Sequence, residues 1–347
     1  MKPTFKKGKK LEPVNLESVN LVKERELQAN QKLPLLVEPN LNNVNLIDWC
    51  QQNKEYIEER LLSHGGILLR GFDIDSINKF EGIVDSVCEK PMEYSEGATP
   101  RTKLSKKSYT STEFPPEHPI FLHNELSYVN AWPRKIVFYC DIPSLTGGET
   151  PIADVRKVYD RIAPEIRDEF EEKQWMLVRN FGDGFGLSWQ EVFHTESKME
   201  VEQYCDNNNI EYYWKGNNKL RTTQIRPAIT SHPITNEPLW FNHLAFWHES
   251  TLDTEVQNLF QKEFGKDNLP YNTYYGDGTS IDKSVIDHIV DCYEKETVYF
   301  KWKKGDVLVL DNMLVAHGRS SFTGERKVLV SMGEPVKRVN NKEVTIL

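Results

Sequence analysis

Hydrophobic and polar positions divide the chain into a short helical region and a longer strand-rich region. The segment from Asn45 to Gly66 has apolar residues near helical spacing and ends at a glycine pair, which predicts a helix. The run GILLRGF follows as a short buried strand. A second helix is predicted over DSINKFEGIVDSVCE, capped by Asp75 or Ser76. Residues 1–40 carry charge runs and prolines with little periodicity, so they are predicted to form an extended arm.

Beyond Pro115 short β-rich runs dominate, such as RKIVFYCDI, QWMLVRNF, DVLVLDN and RKVLVSM, and turn signals such as TGG and KKGD separate them. Helical inserts interrupt this series at 154–173, at about 252–266 and at 280–295. No linker or internal repeat divides residues 41–347, which are therefore predicted to form one domain. Many short strands with outer helices are typical of a mainly β jelly roll or barrel.

Composition narrows the function classes. The 347 residues are 38% hydrophobic and 27% charged, as in a globular protein with a sizeable core. A net charge of −9 argues against nucleic acid as the main partner. The five cysteines are scattered without a CxxC pair, which fits reduced thiols. The N-terminus has no apolar signal region and no stretch approaches the length of a membrane span, so we expect a cytoplasmic protein without membrane contact.

The stretch FLHNELSY at 121–128 introduces candidate chemistry, because it contains a histidine and a glutamate two residues apart. On a strand, alternate residues share a face, so His123 and Glu125 would project side by side. An imidazole and a carboxylate in that arrangement form two thirds of a metal site. A second HxE pair, His194 and Glu196, lies in a helical or irregular stretch, where such residues diverge, and is predicted to be a surface or supporting element.

Among the nine histidines, His317 is the strongest candidate for a third ligand. It is predicted on a short loop just past the buried strand DVLVLDN, where its side chain can face a cavity. Two histidines and one carboxylate form a facial triad, which leaves coordination positions open and is diagnostic of non-haem Fe(II) oxygenases.

Three motifs in order, HNE at 123–125, GGETPIAD at 147–154 and AHGRSSFTGERKV at 316–328, resemble the Fe(II)/2-oxoglutarate-dependent oxygenases of the taurine dioxygenase (TauD/TfdA) superfamily. The glutamate in place of the commoner aspartate resembles the clavaminate synthase-like branch. The similarity extends from about residue 45 to residue 335. It implies a double-stranded β-helix core, similar to a cupin, in agreement with the strand-rich pattern.

The resemblance also implies roles for individual residues. The three metal-ligand candidates would bind Fe(II), and Arg326 would pair with the distal carboxylate of 2-oxoglutarate, which a guanidinium fork suits. Thr150 matches a threonine that helps to hold the same carboxylate. Arg326 follows His317 by only nine positions, fewer than in several relatives, so Arg319 is an alternative partner for 2-oxoglutarate.

The reaction implied by the resemblance consumes O2 and 2-oxoglutarate, releases succinate and CO2, and oxidises an unactivated C–H bond. Hydroxylation is the leading outcome, while desaturation and epoxidation remain open. Halogenation is disfavoured, because related halogenases have a small residue where this chain has Glu125. The motifs look most like oxygenases of amino-acid and nonribosomal peptide natural-product pathways, including antibiotic biosynthesis, which act on free amino acids or on carrier-tethered acyl groups.

Substrate contacts are predicted in three stretches: the metal motif, YTSTEFP at 109–115 and WFNHLAFWH at 240–248. Candidates for substrate contact or for support of the ligands are Asn124, Thr112, Glu113, Asn242, His243, Trp247, His248 and Arg319. Core packing explains the aromatic residues of the third stretch equally well. The basic run PRTKLSKKSY fits either a solvated loop or a docking surface for an acidic acyl or peptidyl carrier protein.

Two functions of other classes compete with an oxygenase. A non-catalytic jelly-roll protein that binds a small molecule would use the same fold, but it has no need for the triad together with Arg326. A zinc hydrolase would use similar ligands. However, the chain has no HExxH motif, and a hydrolase would gain nothing from an arginine behind the metal.

Overall fold

The computed structural model describes residues 21–92, 96, 108–111, 114–216, 218–339 and 343–347. Within these ranges the chain is mainly β, with twenty strands and ten α-helices. The strands are β1 Val22–Gln28, β2 Gln31–Pro39, β3 Gly66–Leu69, β4 Tyr109–Thr110, β5 Ile120–His123, β6 Ala131–Ile142, β7 Thr146–Gly147, β8 Ile152–Asp154, β9 Trp175–Phe181, β10 Ile210–Lys215, β11 Lys219–Arg226, β12 Ile229–Ser231, β13 Pro238–Trp240, β14 Tyr271–Tyr275, β15 Thr297–Val298, β16 Val307–Asp311, β17 Val315–Arg319, β18 Phe322–Thr323, β19 Lys327–Arg338 and β20 Val344–Ile346.

The helices lie between the strands and mostly outside the sheets. They are α1 Leu46–Gln52, α2 Lys54–His64, α3 Ile77–Val87, α4 Val155–Arg161, α5 Pro164–Lys173, α6 Trp189–Phe193, α7 Lys198–Asn207, α8 Leu244–Trp247, α9 Thr254–Phe264 and α10 Lys283–Glu296. Single 3-10 turns lie at Glu249–Thr251 and Lys266–Asn268.

Two sheets form the double-stranded β-helix core. The larger has the order β1-β2-β3-β16-β6-β19-β20, with β4 also paired to β19, and the smaller has the order β15-β8-β17-β5. All pairs in these two sheets are antiparallel except β2 with β3. A third sheet, β10-β11-β9-β14, is separate from these two. The two core sheets combine strands from distant parts of the chain, as in a jelly roll, so the fold predicted from the sequence is confirmed.

The central strands of the larger sheet (β3, β16, β6 and β19) are buried on both faces, which explains their continuous apolar runs. Along β16, Leu308 and Leu310 belong to the core shared with the smaller sheet, whereas Val307 and Val309 belong to the core beneath helices α1 to α3. The same alternation divides Phe138 from its neighbours in β6. One face of β16 and β6 therefore looks toward the space between the two sheets, where a site can form.

Residues 21–40 differ from the predicted extended arm. From Val22 onward the chain forms the hairpin β1–β2, and β2 pairs in parallel with β3 in the larger sheet. The reason is the apolar run Leu33–Val37, which is buried throughout. Period-two alternation is absent in a strand covered on both sides, so this run does not carry the alternating pattern that predicts a strand.

The helices agree with the predicted positions but not with their lengths. The helix predicted over 45–66 is two helices, α1 and α2, which meet at Asn53, and α2 ends at Gly65 in the left-handed conformation. The insert 154–173 is likewise split into α4 and α5, with Pro164 at the start of α5, where a missing N–H costs nothing. Ser76 caps α3 through its side chain, as one of the two predicted capping residues.

Candidate active site

Two histidines from neighbouring strands meet between the sheets. His123, the last residue of β5, pairs in register with His317 of β17, and their ring centroids lie 4.6 Å apart. Nδ1 of His123 lies 2.8 Å from the carbonyl oxygen of Phe121. Because a carbonyl only accepts, Nδ1 carries the proton and Nε2 carries the lone pair that a metal ligand needs.

His317 lies within a strand and not on the predicted loop. Strand β17 is an inner strand of the smaller sheet and pairs with β8 on one side and β5 on the other. The apolar residues after the turn at 311–314 continue the sheet, so the histidine is held by backbone pairing on both sides. Its ring lies 5.1 Å from that of Phe138 on the opposite sheet.

Glu125 reaches the histidines from a turn and not from the strand. Strand β5 ends at His123, residues 125–128 form a turn, and Leu126 has φ of 57°. The predicted strand through residue 128, with His123 and Glu125 on one face, is therefore wrong. The reversal of the chain brings the carboxylate to the same place, with Oε2 of Glu125 3.9 Å from Nε2 of His317.

One donor atom each from His123, Glu125 and His317 lies within 4.8 Å of the other two. All three side chains are buried, with exposed fractions of 9%, 3% and 5%. Two imidazoles and one carboxylate fit Fe(II), and a triad of this kind occupies only one face of the ion. The exposed pair His194 and Glu196 gains no third ligand within the residues that the structure describes.

A pocket continues from the two histidines across to the larger sheet. It is lined by Ser111, Ile120, His123, Phe138, Thr150, His317, Gly318, Arg319, Arg326, Val328 and Val330. One wall is apolar, and two guanidinium groups and two hydroxyl groups line the rest. This distribution suits a small anion that also reaches the metal ligands.

Arg326 is the strongest candidate for an anion-binding group in this pocket. Its Nε donates to the carbonyl oxygen of Gly148 at 2.9 Å and its Nη1 to Oγ of Ser111 at 3.3 Å. Burial, and then the charge of Arg319, lower the pKa of Arg326 to about 10, so the group stays charged at neutral pH. Arg326 makes no ion pair with a carboxylate in the described ranges, and an anionic ligand would compensate its charge.

Thr150 lies in the same pocket with 2% of its surface exposed. Its Oγ1 accepts a hydrogen bond of 3.0 Å from Nε1 of Trp302. Since the indole can only donate, the threonine hydroxyl keeps its own proton for a second acceptor. This arrangement fits a hydroxyl that donates to a carboxylate.

Arg319 has a different set of contacts. Its guanidinium donates to the carbonyl oxygens of Phe114, Pro115 and His118, each at 2.8 Å. These bonds tie the segment before β5 to β17. The geometry therefore favours Arg326 over Arg319 as the partner of an anionic co-substrate.

Of the predicted substrate-contacting residues, His243 packs against His123, and Trp247 packs behind His243. The His243 ring is 5.2 Å from the His123 ring and 6.1 Å from that of Trp247. Nδ1 of His243 is 2.9 Å from Oγ of Ser127. Burial, with a smaller effect of His123, lowers the pKa of His243 well below its usual range, so this histidine is neutral.

The other candidates bond to neighbouring protein groups or lie outside the described residues. Nδ2 of Asn124 donates to the carbonyl oxygen of Asn312, and Nδ2 of Asn242 donates to that of Ala228. His248 bonds Ser250 through Nδ1, and burial lowers its pKa to about 4. Thr112 and Glu113 lie outside the described residues.

Phe138 and Trp302 lie outside every predicted motif, and Phe246 and Ser111 lie within the stretches predicted for substrate contact without being among the residues named there. Phe138, Phe246 and Trp302 contact the ligands or Thr150, and Ser111 contacts Arg326. For Phe138 the available signal was the alternation along β6, which places it on the inner face together with Ile136. Trp302 and Thr150 are 152 positions apart, a contact that no local pattern reveals.

A jelly roll with this triad and a buried arginine in one pocket defines the class of Fe(II)- and 2-oxoglutarate-dependent oxygenases. The family model described as taurine catabolism dioxygenase TauD, TfdA family matches residues 29–332, and the chain belongs to this family. It is therefore a 2-oxoglutarate-dependent dioxygenase that uses Fe(II), as the resemblance implied.

Individual relatives agree with this assignment. The chain is 42% identical over 280 residues to the dapdiamide synthesis protein DdaC of Enterobacter agglomerans, covering 81% of this chain and 85% of that protein. It is 30% identical over 290 residues to a clavaminate synthase-like protein of Arabidopsis thaliana, covering 80% and 84%.

Solved structures share the fold at low sequence identity. The crystal structure of PvcB from Pseudomonas aeruginosa aligns with a TM-score of 0.55 and 14% identity over 92% of this chain and 94% of that chain. A second structure of PvcB, described as an Fe, alpha-ketoglutarate dependent oxygenase from an isonitrile synthetic pathway, gives 0.52 and 15% over 94% and 96%. Among the described residues, no helix has the length and apolarity required to cross a bilayer.

Proposed function

We propose that His123, Glu125 and His317 hold the iron, and that Arg326 and Thr150 hold 2-oxoglutarate. The enzyme hydroxylates an unactivated C–H bond of an amino acid or of a carrier-tethered aminoacyl or acyl group in natural-product biosynthesis. The observation that carries this proposal is the convergence of the three donor atoms within 4.8 Å of one another.

The protein's own groups account for binding and orientation. Bound iron and 2-oxoglutarate would activate O2 toward an unactivated C–H bond, with one oxygen atom going to the substrate and the other to succinate, which is formed together with CO2. Arg326 neutralises the far carboxylate of the co-substrate, and Thr150 donates a hydrogen bond to it. Phe138, Val328 and Val330 line the apolar wall of the pocket and exclude water from it.

Glu125 narrows the possible outcomes. A carboxylate at this position occupies the place that a small residue would leave to chloride, so halogenation is not expected. Desaturation and epoxidation use the same ligands and depend on substrate placement. They are the alternative outcomes of the same assay.

The substrate class is supported by the relatives and not by a contact in the pocket. One relative, DdaC, is named for dapdiamide synthesis, which suggests a biosynthetic role here as well. His243, which packs against His123, and Trp247 behind it are the candidates of the third stretch for contact with a small-molecule substrate. The basic residues proposed to dock an acyl or peptidyl carrier protein (Arg101, Lys103, Lys106 and Lys107) lie outside the described residues.

A two-stage experiment tests the proposal. Anaerobic addition of Fe(II) and 2-oxoglutarate to the metal-free protein should produce a weak visible charge-transfer band. Succinate formation is then measured across free amino acids and carrier-bound thioesters. The product mass distinguishes desaturation, which removes two hydrogen atoms, from hydroxylation or epoxidation, which each add one oxygen atom, and NMR of the product distinguishes the last two. Glu125→Ala leaves two histidine ligands, so it should weaken the charge-transfer band and abolish succinate formation, while Glu196→Ala, in the exposed HxE pair, should keep both signals. Equal behaviour of the two variants would refute the ligand assignment.

A further inference from the structure

The turn that carries Glu125 lacks the support of the sheet. Strand β5 ends at His123, so the peptide groups of Glu125 need other partners. They find them in one side chain, that of Asn312. Its Oδ1 accepts from the backbone N–H of Glu125 at 2.7 Å, and its Nδ2 donates to the carbonyl oxygen of Glu125 at 3.0 Å.

Asn312 has no remaining hydrogen-bonding capacity on its nitrogen. The second proton of Nδ2 goes to the carbonyl oxygen of Pro133 at 2.8 Å, and the residue is fully buried. The main-chain carbonyl oxygen of Asn312 accepts from Nδ2 of Asn124 at 2.7 Å. The amide therefore has one possible orientation, with oxygen toward an N–H and nitrogen toward two carbonyl oxygens.

The position of Asn312 in the chain links two metal-ligand candidates. It directly follows β16 and stands five positions before His317. The carboxylate of Asp311 accepts from the backbone N–H groups of Met313 and Leu314, which fixes the turn into β17. One short segment thus holds His317 through the sheet and Glu125 through a side chain.

We propose that Asn312 is a positioning residue that sets the Glu125 carboxylate for metal binding, an inference that rests on the proposed metal site. A metal tolerates ligand displacements of only about 0.2 Å. Rotation of the Glu125 peptide would move the carboxylate by more than this distance. Loss of a group that orients a ligand typically weakens metal binding about 10–100-fold.

The test measures Fe(II) affinity of the metal-free protein by anaerobic calorimetry, without co-substrate or turnover. Asn312→Ala should raise the Kd for Fe(II) about 10–100-fold. The matched control is Asn180→Ala in β9, another buried amide, whose Nδ2 donates to the carbonyl oxygen of Leu269 at 2.7 Å. That variant should change the Kd by less than about threefold, because it loses a similar bond in the third sheet, which is separate from the sheet that carries His123 and His317.

A double variant separates positioning from general stability. If Asn312 acts through Glu125, adding Asn312→Ala to Glu125→Ala should weaken Fe(II) binding no further. A purely structural residue would weaken it equally in both backgrounds, and that result would overturn the proposal. If wild-type protein binds no Fe(II), the proposed function fails instead, so the two failures are distinguishable.

A second substitution covers the case in which Asn312→Ala does not fold. Asn312→Asp keeps the shape and the acceptor for the Glu125 N–H but places an oxygen against two carbonyl oxygens. We expect weaker Fe(II) binding and a smaller increase of Tm on Fe(II) addition. A folded Asn312→Asp with wild-type Fe(II) affinity would overturn the proposal.

Discussion

Replacement of Arg326 by methionine tests the co-substrate pocket most directly. Methionine keeps much of the length of the side chain and removes the charge. The pocket then keeps Arg319, whose guanidinium is already bonded to three backbone carbonyl oxygens. The loss of 2-oxoglutarate binding should therefore not be compensated.

The expected magnitude follows from the proposed carboxylate contact. Hydrogen bonds between charged groups contribute about 1.5–3 kcal/mol each, and a guanidinium fork can form two. A net loss of about 3 kcal/mol corresponds to roughly a hundredfold weaker binding of 2-oxoglutarate. Removal of the buried charge favours the fold, whereas loss of the hydrogen bonds to Gly148 and Ser111 disfavours it, so the free energy of unfolding should change little. The pKa of Arg326, lowered to about 10, shows that the fold disfavours its charged form.

Arg319→Met is the matched comparison. This variant loses three bonds to the segment 114–118, so the free energy of unfolding should fall by about 1–3 kcal/mol. Its 2-oxoglutarate affinity should change by less than about tenfold, because its contacts are to the protein backbone.

The assay combines anaerobic titration of the Fe(II)-loaded proteins with 2-oxoglutarate and urea unfolding of the metal-free proteins. Arg326→Met should lose affinity for 2-oxoglutarate, and Arg319→Met should lose free energy of unfolding. If Arg319→Met weakens 2-oxoglutarate binding as much as Arg326→Met does, the assignment of the co-substrate contact is refuted.

Three further predictions concern the surrounding structure. In Gly318→Ala the new Cβ would lie 2.6 Å from the carbonyl oxygen of Ile120, so strand β17 must shift from β5. Both Tm and Fe(II) affinity should fall, and unchanged values of both would contradict this contact. Burial favours a raised pKa for Asp311, but the hydrogen bond from His232 and the charges of His232 and Arg134 outweigh it and hold the pKa below its usual range. The stability that Asp311 contributes is present above about pH 4 and is lost as pH falls through the lower pKa of the folded state. The free energy of unfolding of Asp311→Asn, measured in urea, should therefore fall less steeply with decreasing pH than that of the wild type. An unchanged pH dependence would contradict this role of Asp311. Charge reversal of Lys106 and Lys107 should slow turnover of carrier-tethered substrate and spare any free substrate; equal turnover would dispose of the docking surface.

The local chemistry of the site was readable from the residues. The HNE motif and the histidine of the AHGR motif named the three groups that the structure brings together. The apolar runs of β6, β16 and β19 also predicted buried strands, because a strand covered on both faces leaves a continuous apolar signature.

The backbone elements that bring these groups together could not be predicted from the sequence. Alternation on a strand placed Glu125 beside His123, yet the strand ends at His123 and a turn with a left-handed Leu126 delivers the carboxylate. The loop predicted for His317 is a strand, because backbone partners on both sides extend the sheet there. The run that forms β2 has no alternating pattern, because it is buried on both faces, and its partner β3 lies about thirty positions away.

By itself, the sequence determined which donor groups the protein has and which chemistry their combination permits, since these depend on residue type and on short motifs. Only the tertiary structure decided that Arg326 lines the pocket, without an ion pair among the described residues, that Arg319 anchors a neighbouring segment, and that Asn312 holds Glu125. Each of these roles depends on atoms brought together by the fold from positions up to 215 apart. No periodicity within one segment encodes such contacts.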